Sequence, residues 1–265
     1  MQLEMFQIDA FTDRLFGGNS AAVVPLQTWL PDALMQSIAV ENNLSETAFF
    51  VRQPDGTYAI RWFSPLSEIA FCGHATLASA FVLFRQDSAV KKVTFTAPAV
   101  GSIDVAQRAD GRITMRFPLR APEPAERIPP ALLKGLSIAP SEVLVSDQAW
   151  FALYENEQSV REVVPVPELL ATLGPLDVVV TAPGLDHDFV SRYFWPANGG
   201  LEDPVTGSIH AGLAPLWAVR LGKSDLVAQQ ASARSGIVYC QVMPKHVLVS
   251  GDAVLFLQGI IQLPD

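Results

Sequence analysis

Arg61-Trp62-Phe63-Ser64-Pro65 reads R-W-F-S-P, and Arg192-Tyr193-Phe194-Trp195-Pro196 reads R-Y-F-W-P. Each copy leads to an acid, Glu68 or Glu202, and each acid is followed five positions later by a glycine, Gly73 or Gly207. Each glycine opens a run with helical character, H-A-T-L-A-S-A-F-V-L-F and S-I-H-A-G-L-A-P-L-W. The two arginines stand 131 positions apart in a chain of 265 residues, close to half its length, so the series reads as an internal duplication. Between the copies, Pro118, Pro122, Pro124, Pro129 and Pro130 crowd one segment. Proline fixes φ and removes ladder donors, so this is expected to be an irregular connection. The expected halves are 1–118 and 119–265, with a linker over 118–130 and the last strand free to cross back to the first half.

The pattern on either side is strand-rich. Thr57 to Phe63 alternates with Tyr58, Ile60 and Trp62 on one face. Similar runs include Gln2–Ile8, Ala21–Val24, Thr47–Val51, Val93–Phe95, Val178–Thr181, Val190–Phe194 and Val254–Ile261. Helices are fewer: Pro31–Asn42, the two runs after Gly73 and Gly207, and Pro167–Leu173. The run 74–84 is apolar nearly all round, which predicts a helix enclosed by its half. The expected fold class is α+β, with two similar halves, each a curved sheet around a central helix.

Composition narrows the function classes. Hydrophobic residues make up 49% and charged residues 17%, the balance of a well-buried globular chain. A net charge of −9 repels phosphate backbones and anionic membranes, so neither nucleic acid nor membrane is an expected partner. Cys72 and Cys240 are too few for a disulfide framework, and the N-terminus reads as a strand rather than a signal peptide. A cytoplasmic enzyme is expected. Dinucleotide, Walker and H-E-x-x-H motifs are absent. Cys72 and His74 are two apart with no second cluster to complete a metal site, so no metal or cofactor is expected.

Two glycines at two helix starts suggest a site for a small carboxylic acid. A helix N-terminus carries unpaired N–H groups and partial positive charge. If the halves pack about a pseudo-two-fold axis, Gly73 and Gly207 would bring both N-termini to one cleft. His74 and Asp203 sit beside these starts and are able to move protons near neutral pH. His210 lies a turn into its run and is a weaker candidate. Glu46, in N-L-S-E-T-A-F, reads by itself as a loop charge, although enclosure would raise its pKa and suit it to proton transfer.

With F-T-D-R-L-F-G-G-N-S-A-A-V-V, N-L-S-E-T-A-F, R-W-F-S-P, F-C-G-H-A-T-L-A and E-D-P-V-T-G-S in order, the chain resembles the PhzF-like phenazine-biosynthesis family. The resemblance implies a diaminopimelate epimerase-like fold, a homodimer, and cofactor-free isomerisation such as that of a dihydro-hydroxyanthranilic acid. It implies that Glu46 shuttles a proton, that His74 and Asp203 flank the substrate, and that Gly73 and Ser208 bind it. Ser20 departs from the family, which usually has proline there. The related epimerases use two cysteines; Cys72 fills the first place, but the duplicate position is Thr206. The alternatives are a one-thiol epimerase or dehydratase with Cys72 as base, and a small-acid binding protein without turnover.

Overall fold

A computed structural model describes residues 1–263. From the N-terminus come β1 (Gln2–Ala10), β2 (Asn19–Leu26), α1 (Asp32–Asn42), β3 (Glu46–Arg52), β4 (Tyr58–Phe63), β5 (Glu68–Ile69), α2 (Gly73–Gln86), β6 (Lys92–Ala97), β7 (Gly101–Gln107) and β8 (Ile113–Pro118). Then follow β9 (Glu123–Pro124), α3 (Pro130–Lys134), β10 (Glu142–Val145), β11 (Ala149–Leu153), α4 (Glu157–Glu162), α5 (Pro167–Leu170), β12 (Asp177–Pro183), β13 (Phe189–Phe194) and β14 (Glu202–Asp203). The chain continues through α6 (His210–Leu221), β15 (Asp225–Gln230), β16 (Gly236–Val242), β17 (His246–Gly251) and β18 (Ala253–Gln262).

The chain forms two units, Met1–Arg116 with the segment from Ser250, and Phe117–Val249. β18 pairs antiparallel with β1 along its length, so the C-terminal strand belongs to the first unit. Within the proline-rich segment one short element is paired, β9 against β10.

The two units repeat one topology. In the first, β1 is antiparallel to β2, β2 parallel to β3, and β3 antiparallel to β4. β4 is antiparallel to β5 and parallel to β6, which is antiparallel to β7. The second unit runs through the same series with β10 to β16. The repeated sequence series is the framework of each copy. Arg61 donates Nε and Nη2 to the two oxygens of Glu68 at 2.7 Å each, clamping β4 to β5. Arg192 makes the same fork to Glu202 at 2.8 and 2.9 Å. Alternation puts the aromatic two residues on under the same guanidinium, Phe63 below Arg61 and Phe194 below Arg192.

α2 is the core of the first unit. Its Ala- and Leu-rich sequence favours helix, and it packs on β1, β2, β3 and β7. Leu77, Ala78 and Val82 are fully buried, each large side chain contributing about 1.5–3 kcal/mol. Thr76 and Ser79, also buried, return their hydroxyls to the carbonyls of Cys72 and Ala75 at 2.6 and 2.8 Å, so no polar group is stranded. A second layer joins α1 to the sheet through Met35, Ile38, Phe49 and Phe63. In the second unit, α6 begins at His210 rather than Gly207. Residues 207–209 form a tighter lead-in whose carbonyls accept from the amides three positions on, from His210, Ala211 and Gly212.

Candidate active site

The first unit gathers its candidates where three elements begin. β2 and β3 run parallel with Ala21 opposite Glu46. Asn19 at the start of β2 therefore neighbours Ser45 and Glu46 at the start of β3. Gly18 has φ +60, and a Cβ there would stand 2.1 Å from the Ala10 carbonyl oxygen. Only glycine allows the turn that delivers Asn19. α2 adds Cys72 as N-cap, then Gly73 and His74 in its first turn, all three buried.

Glu46 is the first residue of β3 and is 7% exposed, not a loop charge. Its Oε2 stands 3.0 Å from His74 Nε2. That contact is close but not aligned as a hydrogen bond, and Oε2 has no aligned donor among the described residues. On the other side of the ring, Asn19 Nδ2 is 3.1 Å from His74 Nδ1, and the Ser45 hydroxyl donates to Asn19 Oδ1 at 3.0 Å. Cys72 Sγ lies 3.4 Å from Nδ1 and 3.9 Å from Nε2. A sulfur in the ring plane along the Nδ1 lone pair would be roughly 2 Å farther from Nε2 than from Nδ1. The two distances differ by only half an ångström, so the sulfur is displaced from the Nδ1 lone-pair axis while staying within hydrogen-bonding reach of that nitrogen. Glu46, Cys72 and His74 offer ligand atoms within 4.8 Å of one another. β3 thus adds a third group to the two that sequence spacing alone left incomplete, and such a set suits a borderline divalent cation.

The second unit builds a different cluster around β14 and the lead-in to α6. Asp203 accepts the Thr206 hydroxyl. Gln230 braces this turn, donating to the Asp203 carbonyl and accepting the Thr206 amide, both at 2.8 Å. Thr206 stands where duplication would put a second thiol, and its hydroxyl is already engaged. Gln148 Nε2 donates to Ser208 Oγ at 2.9 Å and reaches the Tyr193 hydroxyl at 3.3 Å. Tyr193 donates to Asp177 at 2.6 Å, which also accepts from Asn198. Burial pushes the Asp177 carboxyl and the Tyr193 hydroxyl above their ordinary values. With Gln148 supplying its acceptor side, Ser208 keeps its own proton to donate.

The structure thus places Glu46, Gly73 and His74 together in the first unit, and Asp203, Gly207 and Ser208 along one segment of the second. His210 is fully buried with Nδ1 at 3.0 Å from the Thr206 carbonyl, and burial lowers its pKa to about 4. It is a neutral core residue that donates to that carbonyl. Asn19, Ser45, Gln148 and Gln230 escaped the sequence reading; for Asn19 the available signal was the Gly17-Gly18-Asn19 turn directly before a strand. A cavity of about 730 Å³ lined by Arg120, Glu126, Arg127, Asp147 and Trp150 lies in the second unit and includes none of the candidates. No described helix is long and apolar enough to cross a membrane.

Residues 8–259 match a family model described as PhzC-PhzF, phenazine biosynthesis-like protein. An uncharacterized isomerase of Pseudomonas aeruginosa is 45% identical over 263 residues, covering 99% of this chain and 100% of the relative. The crystal structure of a PhzF-family phenazine biosynthesis protein from Enterococcus faecalis superposes with TM-score 0.94 at 41% identity, over 99% of this chain and 100% of that one. A predicted epimerase from Pseudomonas aeruginosa, at 21% identity and TM-score 0.77, covers 99% of this chain and 100% of its own, and shares the epimerase-like fold.

Proposed function

We propose, since the chain belongs to the PhzC-PhzF family of phenazine biosynthesis-like proteins and is an isomerase, that Glu46 moves a proton between two carbons of a small carboxylic acid. The observation that carries this is Glu46 Oε2: a buried carboxylate oxygen with no aligned donor, 3.0 Å from His74. Buried acceptors are nearly always paired, and one left open where a helix begins has the character of a base. In the proposed step Oε2 takes a proton from one carbon, leaving an anion delocalised into the substrate's carboxyl group. Glu46 then returns the proton to a second carbon as the double bond shifts, so no electrons are gained or lost. His74 and the amides at the start of α2 stabilise the charge that develops. Asp203, with Gly207 and Ser208, stays in the proposal as the assisting polar segment on the strength of the sequence repeat and the resemblance. A homodimer acting without cofactor belongs to the same reading, which does not extend to phenazine chemistry.

A one-thiol mechanism with Cys72 as base is the competing reading, since Cys72 Sγ lies 3.4 Å from His74 Nδ1. Solvent deuterium incorporation into a panel of hydroxy, amino and aromatic carboxylic acids tests the reading, because exchange registers proton transfer even without net product. Glu46→Gln should lose about 10²–10⁴-fold in exchange rate while still binding the acid, and Cys72→Ser should change it less than about threefold. The reverse pattern would hand the mechanism to the thiol. Binding of panel acids with no exchange by the unmodified protein would support a binding protein instead.

A further inference from the structure

We propose that Asn19, oriented by Ser45, is a positioning residue that holds His74 as the neutral tautomer with its proton on Nε2. The inference rests on the reading of Glu46 and His74 as the proton-handling pair, and it assigns the direction in which His74 acts.

The hydrogen bonds run from Ser45 through Asn19 to His74. A serine hydroxyl beside an amide is satisfied by donating to the amide oxygen, and Ser45 does so at 3.0 Å. That leaves the Asn19 nitrogen, which only donates, facing His74 Nδ1 at 3.1 Å. A donor facing Nδ1 requires a lone pair there, so the imidazole proton belongs on Nε2. Neighbouring elements keep Asn19 from adjusting. It is fully buried, it follows a glycine that no other residue replaces, and the parallel pairing of β2 with β3 sets its distance to Ser45. Cys72 Sγ also lies 3.4 Å from Nδ1, and an S–H donated there calls for the same lone pair.

The chemistry follows from the tautomer. With Nε2 as a donor beside Glu46 Oε2, the site presents one acceptor and one donor to the same small region. Glu46 serves as base and His74 gives a hydrogen bond to the oxygen on which negative charge develops.

Nitrogen-15 NMR of protein labelled in its histidine rings reads the tautomer without a substrate, because protonated and bare ring nitrogens resonate far apart. His74 signals are assigned by their loss in His74→Gln. The expected pattern is a bare Nδ1 and a protonated Nε2. Asn19→Asp keeps the shape and replaces the donor with an acceptor, and it should protonate Nδ1. Ser45→Ala should give intermediate shifts as Asn19 turns over, and Ser45→Thr should restore the original pattern. A protonated Nδ1 in the unmodified protein overturns the proposal, as does an Asn19→Asp spectrum unchanged from it. If Asn19→Asp fails to fold by circular dichroism, the unmodified protein and the two Ser45 variants decide. The expected pattern together with full deuterium exchange by Glu46→Gln would retain the tautomer and reject Glu46 as base.

Discussion

Replacing His210 by glutamine should flatten the acid limb of the stability curve. The imidazole is fully buried at the first residue of α6, and burial lowers its pKa from 6.5 to about 4, with the carbonyls of Thr206 and Gly207 opposing part of that shift. At neutral pH the ring is uncharged both folded and unfolded. Below 6.5 the unfolded chain accepts a proton that the folded chain refuses until about pH 4. The folded state therefore loses stability as pH falls through that window. A shift of this size corresponds to about 3 kcal/mol in total, of which roughly 2 kcal/mol is lost between pH 7 and pH 5. Urea denaturation at those two pH values measures it. His210→Gln has a lower baseline from its altered packing, but its own loss between the two pH values should be smaller by about 2 kcal/mol. Equal losses in the two proteins would mean that His210 is hydrated or already charged in the folded state, and the burial argument would fail.

Two further outcomes test the framework. Double-mutant cycles on the arginine–glutamate forks should give a coupling of about 1–2 kcal/mol for Arg192 with Glu202 and about 0.5 kcal/mol for Arg61 with Glu68. The first pair is the less exposed, at 13% and 24% against 21% and 43%, and Arg192 also donates to the Val163 carbonyl at 2.7 Å; equal couplings would contradict the burial dependence. Gly18→Ala should cost more than about 2 kcal/mol in thermal melts, since its Cβ would collide with the Ala10 carbonyl. Gly56→Ala, at φ +88 in open space, should cost only about 1 kcal/mol of strain, and similar losses at both positions would refute the collision.

The duplication was legible because its residues are framework. An arginine that forks to a glutamate and covers a phenylalanine tolerates little change, so the series survives in both copies. The chemistry was less legible because parallel pairing supplies it. Glu46 and His74 lie 28 positions apart, and only the Ala21–Glu46 register with α2 packed above brings them to 3.0 Å. Nothing local to N-L-S-E-T marks that glutamate as enclosed, and the resemblance alone pointed to it. β5 and β14 are two residues each, too short for alternation to register. The start of α6 was misplaced for a local reason. Gly207 and Ser208 favour a turn over regular helix, and the chain makes three i→i+3 bonds before the helix proper.

The pairing of β18 with β1 sets an order of events during synthesis. The second unit is one uninterrupted stretch, Phe117–Val249, and all of it has been made before β18 exists. The first unit was begun earlier, yet β1 lacks its β18 partner until the chain has passed Gln262. On a ribosome, the portion translated second is therefore able to mature first, while the portion translated first waits with one edge of β1 unpaired. Exposed strand edges of that kind attract chaperones and neighbouring nascent chains. Slowing translation within the second unit would lengthen the wait without altering a single contact of the finished molecule.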